Sequence, residues 1–477
     1  MLEGLDAVEI ALSECRSIID FRIDANTYKK EFLKTDSILK RRRTNSIGTI
    51  SKSIQNFGAY SLCNFIHFQD SGIPFLMTKN VRENFIDWNL EKYVDFPSHQ
   101  MLWKSHCHKG QVLITMAGEY LGRVAVYNID REASSNQAIA KVTLVSGQSP
   151  YTISTFLNSK FGQHQIQRFK TITGQPNINM SLIESLRIPE FSNQFSKSIE
   201  VLMHSIDEIR TSASNVYLEA EQTLLEAVGL ADFKPSTQNT NIKTFAQSFG
   251  ASGRLDAEYY QPKYDYLEKV FNQFERIKLQ DLVNYPISSG ITPKAGGDDY
   301  TDAENGVPFV RAVDLQNGLV SINNFNYIKP AIHTGVLKRT QLKQNDFLFS
   351  IAGTVGRCAI FLHAFEANIN QAVAILRFND ARVNPYYLMM FFNSSIGKEF
   401  VEKYSRQGVQ TNLNLSEVGD LSIPIIDLAT QTNISQLVQQ SFSLKAQSEH
   451  LLNVAKRAVE MAIEQDEATA MQFIKNA

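Results

Sequence analysis

The chain has 477 residues, with 47 lysines and arginines against 49 aspartates and glutamates and a net charge of −2. That length exceeds one hydrophobic core and predicts two to four domains, while the balanced charge excludes a protein that grips nucleic acid through a global basic excess. No window nears the ~20 consecutive apolar residues of a membrane span, so no membrane partner is expected, and the acidic start does not read as a secretory signal. Four scattered cysteines (Cys15, Cys63, Cys107, Cys358) fit a reducing cytoplasm, the expected location.

In chain order, residues 1–194 read as a globular unit. It contains the basic run Lys40-Arg41-Arg42-Arg43 and a β-type stretch, 110–126, rich in β-branched residues and broken by glycine turns. Residues 195–230 are predicted helical, with Ile199, Leu202, Ile206, Ile209, Ala213, Val216 and Ala220 stepping by three and four as a heptad seam. A Ser/Thr/Asn-rich linker follows at 231–253. Residues 254–427 form a second unit with its own β-type stretch at 346–362. Residues 428–477 close the chain as a second helix, whose seam runs through Ile434, Leu437, Leu444, Leu451, Ala455, Ala458 and Ala462, with Ser441 and Ser448 interrupting it. One such seam reads as a core-facing helix; two, each following a β-rich unit, read as long helices paired antiparallel. At ~1.5 Å per residue the first would span about 50 Å.

The two halves repeat each other. Arg22-Ile23-Asp24-Ala25-Asn26-Thr27-Tyr28 returns as Arg254-Leu255-Asp256-Ala257-Glu258-Tyr259-Tyr260, an offset of 254 − 22 = 232. Gly72-Ile73-Pro74-Phe75 returns as Gly306-Val307-Pro308-Phe309. The stretch Ala117-Gly118-Glu119-Tyr120-Leu121-Gly122-Arg123 returns one residue shorter as Ala352-Gly353-Thr354-Val355-Gly356-Arg357. Asn136-Gln137-Ala138 matches Asn370-Gln371-Ala372, Pro150-Tyr151 matches Pro385-Tyr386, and Gln175-Pro176-Asn177-Ile178-Asn179 matches Gln410-Thr411-Asn412-Leu413-Asn414. Ile188-Pro189 and Ile423-Pro424 close the units at 423 − 188 = 235. The fold class expected is α+β: two similar mixed α/β domains joined by two long antiparallel coiled-coil helices.

The second unit resembles the target-recognition domains of Type I restriction–modification specificity subunits. The matching stretches are 254–260 (RLDAEYY), 290–294 (GITPK), 306–314 (GVPFVRAVD), 345–357 (NDFLFSIAGTVGR), 370–372 (NQA), 410–414 (QTNLN) and 421–424 (LSIP). The first unit matches less well. It has only Gly58 in place of 290–294, and Thr78-Lys79-Asn80 stands where the second unit has Arg311-Ala312-Val313-Asp314. The resemblance implies a non-catalytic subunit that reads a bipartite target in double-stranded DNA, one half-site per unit, and docks two methyltransferase subunits on its helices. It implies no cofactor on this chain: S-adenosylmethionine would sit in the methyltransferase partner, and ATP and magnesium in restriction subunits that join for cleavage.

Candidate DNA contacts are read as follows. The run from Lys40 to Arg43 tracks a phosphate backbone or is a solvated helix face. Glycine-bracketed Thr354 and Arg357, with Arg123 in the first unit, form an anion-binding turn or a plain β-turn. Gln410, Thr411 and Asn412, with Gln175 and Asn177, offer amides for adenine edges or turn chemistry. Thr292, Lys294, Arg311 and Asp314, with Lys79 and Asn80 opposite them, complete the set. His106-Cys107-His108 lacks a second ligand pair, so no metal is expected. Asn384-Pro385-Tyr386-Tyr387 lacks the second proline of the adenine-methyltransferase signature and reads as a helix start. Two rivals remain: an enzyme with an unrecognised site, and an orphan or inactive homologue acting as an assembly scaffold.

Overall fold

A computed structural model describes residues 7–18, 21–57, 64–90, 92–171, 174–238, 240–294, 297–322, 325–406 and 411–477. It divides into two compact units, Met1–Thr211 with Lys445–Ala477, and Ser212–Leu444.

Each unit opens with the same clamp. In the second, Arg254 pairs with Asp256 (Nε to Oδ1, 2.8 Å) and donates to the carbonyl of Tyr404 (3.2 Å), while the Tyr260 hydroxyl donates back to the carbonyl of Arg254 (3.0 Å). In the first, Arg22 pairs with Asp24 (2.7 Å) and donates to the carbonyl of Phe169 (3.1 Å), with Tyr28 donating to Arg22 (2.6 Å). Tyr404 and Phe169 each end a helix, Ser395–Tyr404 and Lys160–Phe169. The repeated Arg-x-Asp-x-x-x-Tyr motif thus satisfies orphan carbonyls at a helix C-terminus, where a guanidinium is favoured by the helix dipole. Arg254→Ala is expected to cost about 1–3 kcal/mol of stability, because the part-buried Tyr404 carbonyl and the Asp256 carboxylate lose a charged donor; an unchanged midpoint in urea would refute that role.

The repeat persists in the strand order. The first unit has a four-stranded antiparallel sheet in the order Ser51–Gln55, Ile139–Leu144, Val112–Thr115, Val124–Val126. The second has Ser288–Ser289, Val373–Leu376, Phe347–Ser350, Cys358–Ile360, extended by Gly318–Val320 and Leu315–Gln316. A smaller sheet accompanies each: Phe68–Gln69, Tyr93–Val94, Ile73–Leu76, Ser134–Ser135, and Tyr300–Thr301, Asn326–Ile328, Val307–Val310, Asn368–Ile369. The last pair is parallel in both. The central strands are buried along their whole length because both faces are covered. Phe347 and Phe349 join the cluster with the helices, while Leu348 between them joins the cluster of the smaller sheet. Val112 and Ile114 divide from Leu113 in the same way, as the two-residue period of a strand requires.

Both predicted seams are long helices, Asn193–Ala227 and Leu428–Glu464. The C-terminal prediction is corrected: the helix stops at Glu464, and Asp466 caps a separate helix, Glu467–Lys475, by accepting from the Thr469 amide (2.8 Å). The helices are not free-standing segments between domains, since each contributes half its length to each compact unit. In the first unit Ile199, Met203 and Ile206 cluster with Leu452, Ala455, Ala458 and Val459. In the second, Ala220 and Leu224 cluster with Ile434, Val438 and Phe442. The helix segments therefore pack antiparallel. The seam is wider than predicted: Leu202, Ile209, Val216, Leu437, Leu444 and Leu451 are only half-buried at its flanks, because each helix buries a stripe against a globular core as well as against its partner. Ser441 and Ser448 do not interrupt it. Both are buried, and Ser441 donates to the carbonyl of Ala213 at 2.7 Å. Among the described residues no helix is long and apolar enough to cross a membrane.

A buried histidine pins the parallel strand pair in each unit. His99 Nδ1 lies 2.8 Å from Ser134 Oγ, and His333 Nδ1 lies 3.2 Å from Asn368 Nδ2. The His99 ring also stacks on His106 at 3.8 Å. Burial lowers the pKa of both below the ordinary imidazole value, and His106 adds to this for His99. The folded chain thus binds fewer protons than the unfolded one below about pH 6.5. The stability these groups contribute is full above that pH and is lost as pH falls toward their depressed folded values. Melting temperature is expected to fall between pH 7.5 and 5.5, and to fall less in a His99→Gln, His333→Gln double variant; an equal fall would overturn the assignment.

Candidate nucleic-acid interface

Motifs spread over more than a hundred residues meet at one end of the larger sheet in the second unit. The turn between Phe347–Ser350 and Cys358–Ile360 carries Gly353 and Gly356 at φ +80° and +87°, conformations that cost glycine nothing. Ser350 sets the turn, its hydroxyl donating to the carbonyl of Thr354 and accepting from the Arg357 amide (2.8 Å). Beside the turn, Ala352 bridges to Asn412, and the Leu413 amide donates to the carbonyl of Ile351 at 2.9 Å. On the other flank the Ile351 amide donates to the carbonyl of Ala372 (2.8 Å), and Asn370 donates to Val310, directly before Arg311 (3.0 Å). Gly290 and Thr292 close the row, through the Asn370 carbonyl (3.3 Å) and the Gln371 amide (3.4 Å).

The first unit builds the same cluster. Thr115 plays the part of Ser350, donating to Tyr120 and accepting from the Arg123 amide (2.9 Å). Ala117 bridges to Asn177, Gly118 donates to Pro176 (2.9 Å), Met116 donates to Ala138 (2.7 Å), and Asn136 donates to Leu76 (2.9 Å).

The predicted contacts fall into three groups. Thr292, Thr354, Arg357 and Asn412 are brought together, and all are exposed, as is Lys294 two residues beyond Thr292; Thr411 beside them is half-buried. Among the described residues the Arg357 guanidinium has no partner. Gln175 and Asn177 hold the equivalent exposed position in the first unit, Asn177 donating to the carbonyl of Gln175 at 3.2 Å. Gln410 lies outside the described residues, as do Gly58 and Cys63.

A second group is engaged within the fold. Asn80 is buried, and its amide is spent on the Met77 amide (2.9 Å) and the Asp87 carbonyl (3.2 Å). Asp314 is 4% exposed and accepts from Arg311 at 3.1 and 3.0 Å, so carboxylate and guanidinium form a closed pair. Asn80 Oδ1 accepts from the Met77 amide (2.9 Å) and Asp314 Oδ2 from the Arg311 amide (2.8 Å), each closing a short 3₁₀ turn, which explains why the two segments align despite different side chains. Lys79 is half-buried on the first of these turns. Arg123 does not mirror Arg357. It lies 4.6 Å over the Tyr120 ring, with Arg82 at 5.8 Å from the same ring. Its Nη1 is buried, and burial, then Arg82, lowers its pKa. The extra residue in this turn supplies the tyrosine that folds the arginine inward.

The basic run makes the third group. Lys40 pairs with Asp36 at 2.8 Å; burial opposes the charge of Asp36, but Lys40, Arg168 and Arg187 hold its carboxyl below the usual range. Arg42, itself exposed, donates to the carbonyls of Ile463 (2.5 Å) and Gln465 (3.0 Å) at the end of the second long helix. Arg41 and Arg43 are exposed. Lys40 thus contacts its own helix and Arg42 the end of the second long helix. Asn384 caps the helix Pro385–Asn393 by accepting from the Tyr386 amide at 2.9 Å, a helix start with proline in its first turn.

Sequence reasoning passed over Gln137 and Gln371. Both are exposed within the clusters, and the signal was their identity in the repeated Asn-Gln-Ala motif.

A chain built twice from one α+β unit, each presenting equivalent polar turns at the same end of the same sheet, is a tandem-domain protein with one candidate recognition surface per unit. Residues 272–456 match the family described as Type I restriction modification DNA specificity domain. The chain is 26% identical over 225 residues to the Type I restriction enzyme EcoBI specificity subunit of Escherichia coli, a match covering 45% of this chain and 46% of that relative, about half its length. Among solved structures, it is similar to the S subunit of a Type I restriction-modification system from M. genitalium (13% identity, 91% of this chain and 95% of that one, TM-score 0.36). It is also similar to the HsdS subunit of Thermoanaerobacter tengcongensis (13% identity, 89% and 97%, TM-score 0.30).

Proposed function

We propose that this chain is the sequence-specific DNA-binding subunit of a Type I restriction–modification complex, reading a bipartite target with one half-site per unit. The observation that carries this is the equivalence of the two turn clusters: both units place a glycine-bracketed turn, an Asn-Gln-Ala segment and an asparagine side by side at one end of the larger sheet. One unit of this size reads only a few base pairs, because each bidentate base contact adds roughly 1–3 kcal/mol of discrimination. Two linked units multiply that selectivity.

The chain itself is non-catalytic in this reading. Two methyltransferase subunits dock on its long helices and supply S-adenosylmethionine chemistry, and restriction subunits add ATP- and magnesium-dependent cleavage. The complex acts in the cytoplasm.

The test is a map of N6-methyladenine in cells expressing the chain with its neighbouring methyltransferase, against cells lacking the chain. The expected result is a split motif that disappears with the chain. Methylation that persists without it would reject the reading in favour of an assembly scaffold.

A further inference from the structure

The internal repeat provides two versions of one surface, and residues identical in both divide by what holds them. Arg22 and Arg254 are spent on clamps. Asn179 and Asn414 cap helices, accepting from Leu182 and Glu417 at 2.8 Å each. Asn370 Oδ1 accepts from the Ala372 amide at 3.1 Å, and Asn136 is buried, its Oδ1 without a partner among the described residues. Each of these side chains has a place within the fold.

Gln137 and Gln371 have none. Both are exposed, and among the described residues neither side-chain amide has a hydrogen-bond partner. The Gln371 backbone is nonetheless held in place, its amide against Thr292 Oγ1 and the neighbouring Ala372 amide on Asn370 Oδ1 (3.1 Å). Among flanking positions Thr78-Lys79-Asn80 stands against Arg311-Ala312-Val313-Asp314 and Pro176 against Thr411, while Gln175 and Asn177 match Gln410 and Asn412. Side chains that read two different half-sites must differ. A side chain that is the same in both faces what is the same in both, the sugar–phosphate backbone.

We propose that Gln137 and Gln371 each donate a side-chain amide hydrogen bond to a DNA phosphate, one positioning contact per unit, and that neither reads a base. The inference rests on the DNA-binding reading above. A neutral amide displaces no counterion, so this contact differs in signature from that of an arginine.

The test uses the full chain with a duplex carrying its methylated motif and a scrambled duplex of equal length. Gln137→Ala and Gln371→Ala are each expected to lower affinity about five- to tenfold on both duplexes. The ratio between duplexes, the slope of log K against log salt, and the melting temperature should stay unchanged. Gln371→Glu should lose more than the alanine variant, because it sets a carboxylate against a phosphate. A changed ratio would make the glutamines base readers and overturn the proposal. Unchanged affinity would also overturn it, as would a loss that tracks a fall in melting temperature. If the wild-type chain does not distinguish the duplexes, the DNA-specificity reading itself falls, whatever the variants do.

Discussion

Replacing Gly397 by alanine is expected to destabilise the second unit by about 3 kcal/mol or more. Gly397 lies in the first turn of the helix Ser395–Tyr404, which follows Pro385–Asn393 after the single residue Ser394. A Cβ there would overlap the carbonyl oxygen of Phe391 and lie 2.7 Å from its carbonyl carbon and 2.8 Å from the Cα of Phe392. The obstacle is backbone, which cannot rotate aside, and Phe391 and Phe392 are fully buried. Relief would require separating two helices through the core. The repeat makes the same prediction for Gly162→Ala, whose Cβ would come within 2.5 Å of the carbonyl oxygen of Phe156. Gly353→Ala is the control: its φ is +80°, but nothing lies within 4 Å of the added carbon, so only strain of about 1 kcal/mol is expected. Thermal unfolding should drop by roughly 6–12 °C for Gly397→Ala. A shift no larger than that of Gly353→Ala would sink the close-approach argument.

The second large effect separates two arginines at equivalent places in the repeat. Arg357→Ala is expected to weaken binding about tenfold on every duplex and to reduce the slope of log K against log salt by about 0.9, the signature of one lost phosphate contact. Stability should not change, since the guanidinium has no partner among the described residues. Arg123→Ala should leave the salt slope where it is, because that guanidinium is folded over Tyr120 with one nitrogen buried. A titration of DNA binding between 50 and 300 mM salt measures both. Equal slope changes would mean that Arg123 swings out to reach DNA, and the asymmetry between the units would be lost.

The sequence by itself determined the organisation of this protein. The ordered matches from Arg22 and Arg254 to Ile188 and Ile423 set two copies of one unit, and three-and-four spacing marked a long helix after each. Those features are local or periodic, so they are written in residue types at short range. The meeting of Gly353, Asn370 and Asn412 was legible only as a co-occurrence of motifs. It took strand order, a non-local property, to make them neighbours.

What the tertiary structure alone decided is which polar groups remain available. Asn80, Asp314, Arg42 and Arg123 carry suitable chemistry for DNA, yet a 3₁₀ turn, an ion pair, a helix end and a tyrosine face engage them. A side chain's donors are shared between fold and ligand, and sequence records the donor without recording who holds it. The break at Gln465 escaped notice for a related reason. Asp466 and Glu467 suit a helix interior and a helix start alike, and packing of the final helix beside Phe195 and Ile199 selects the start.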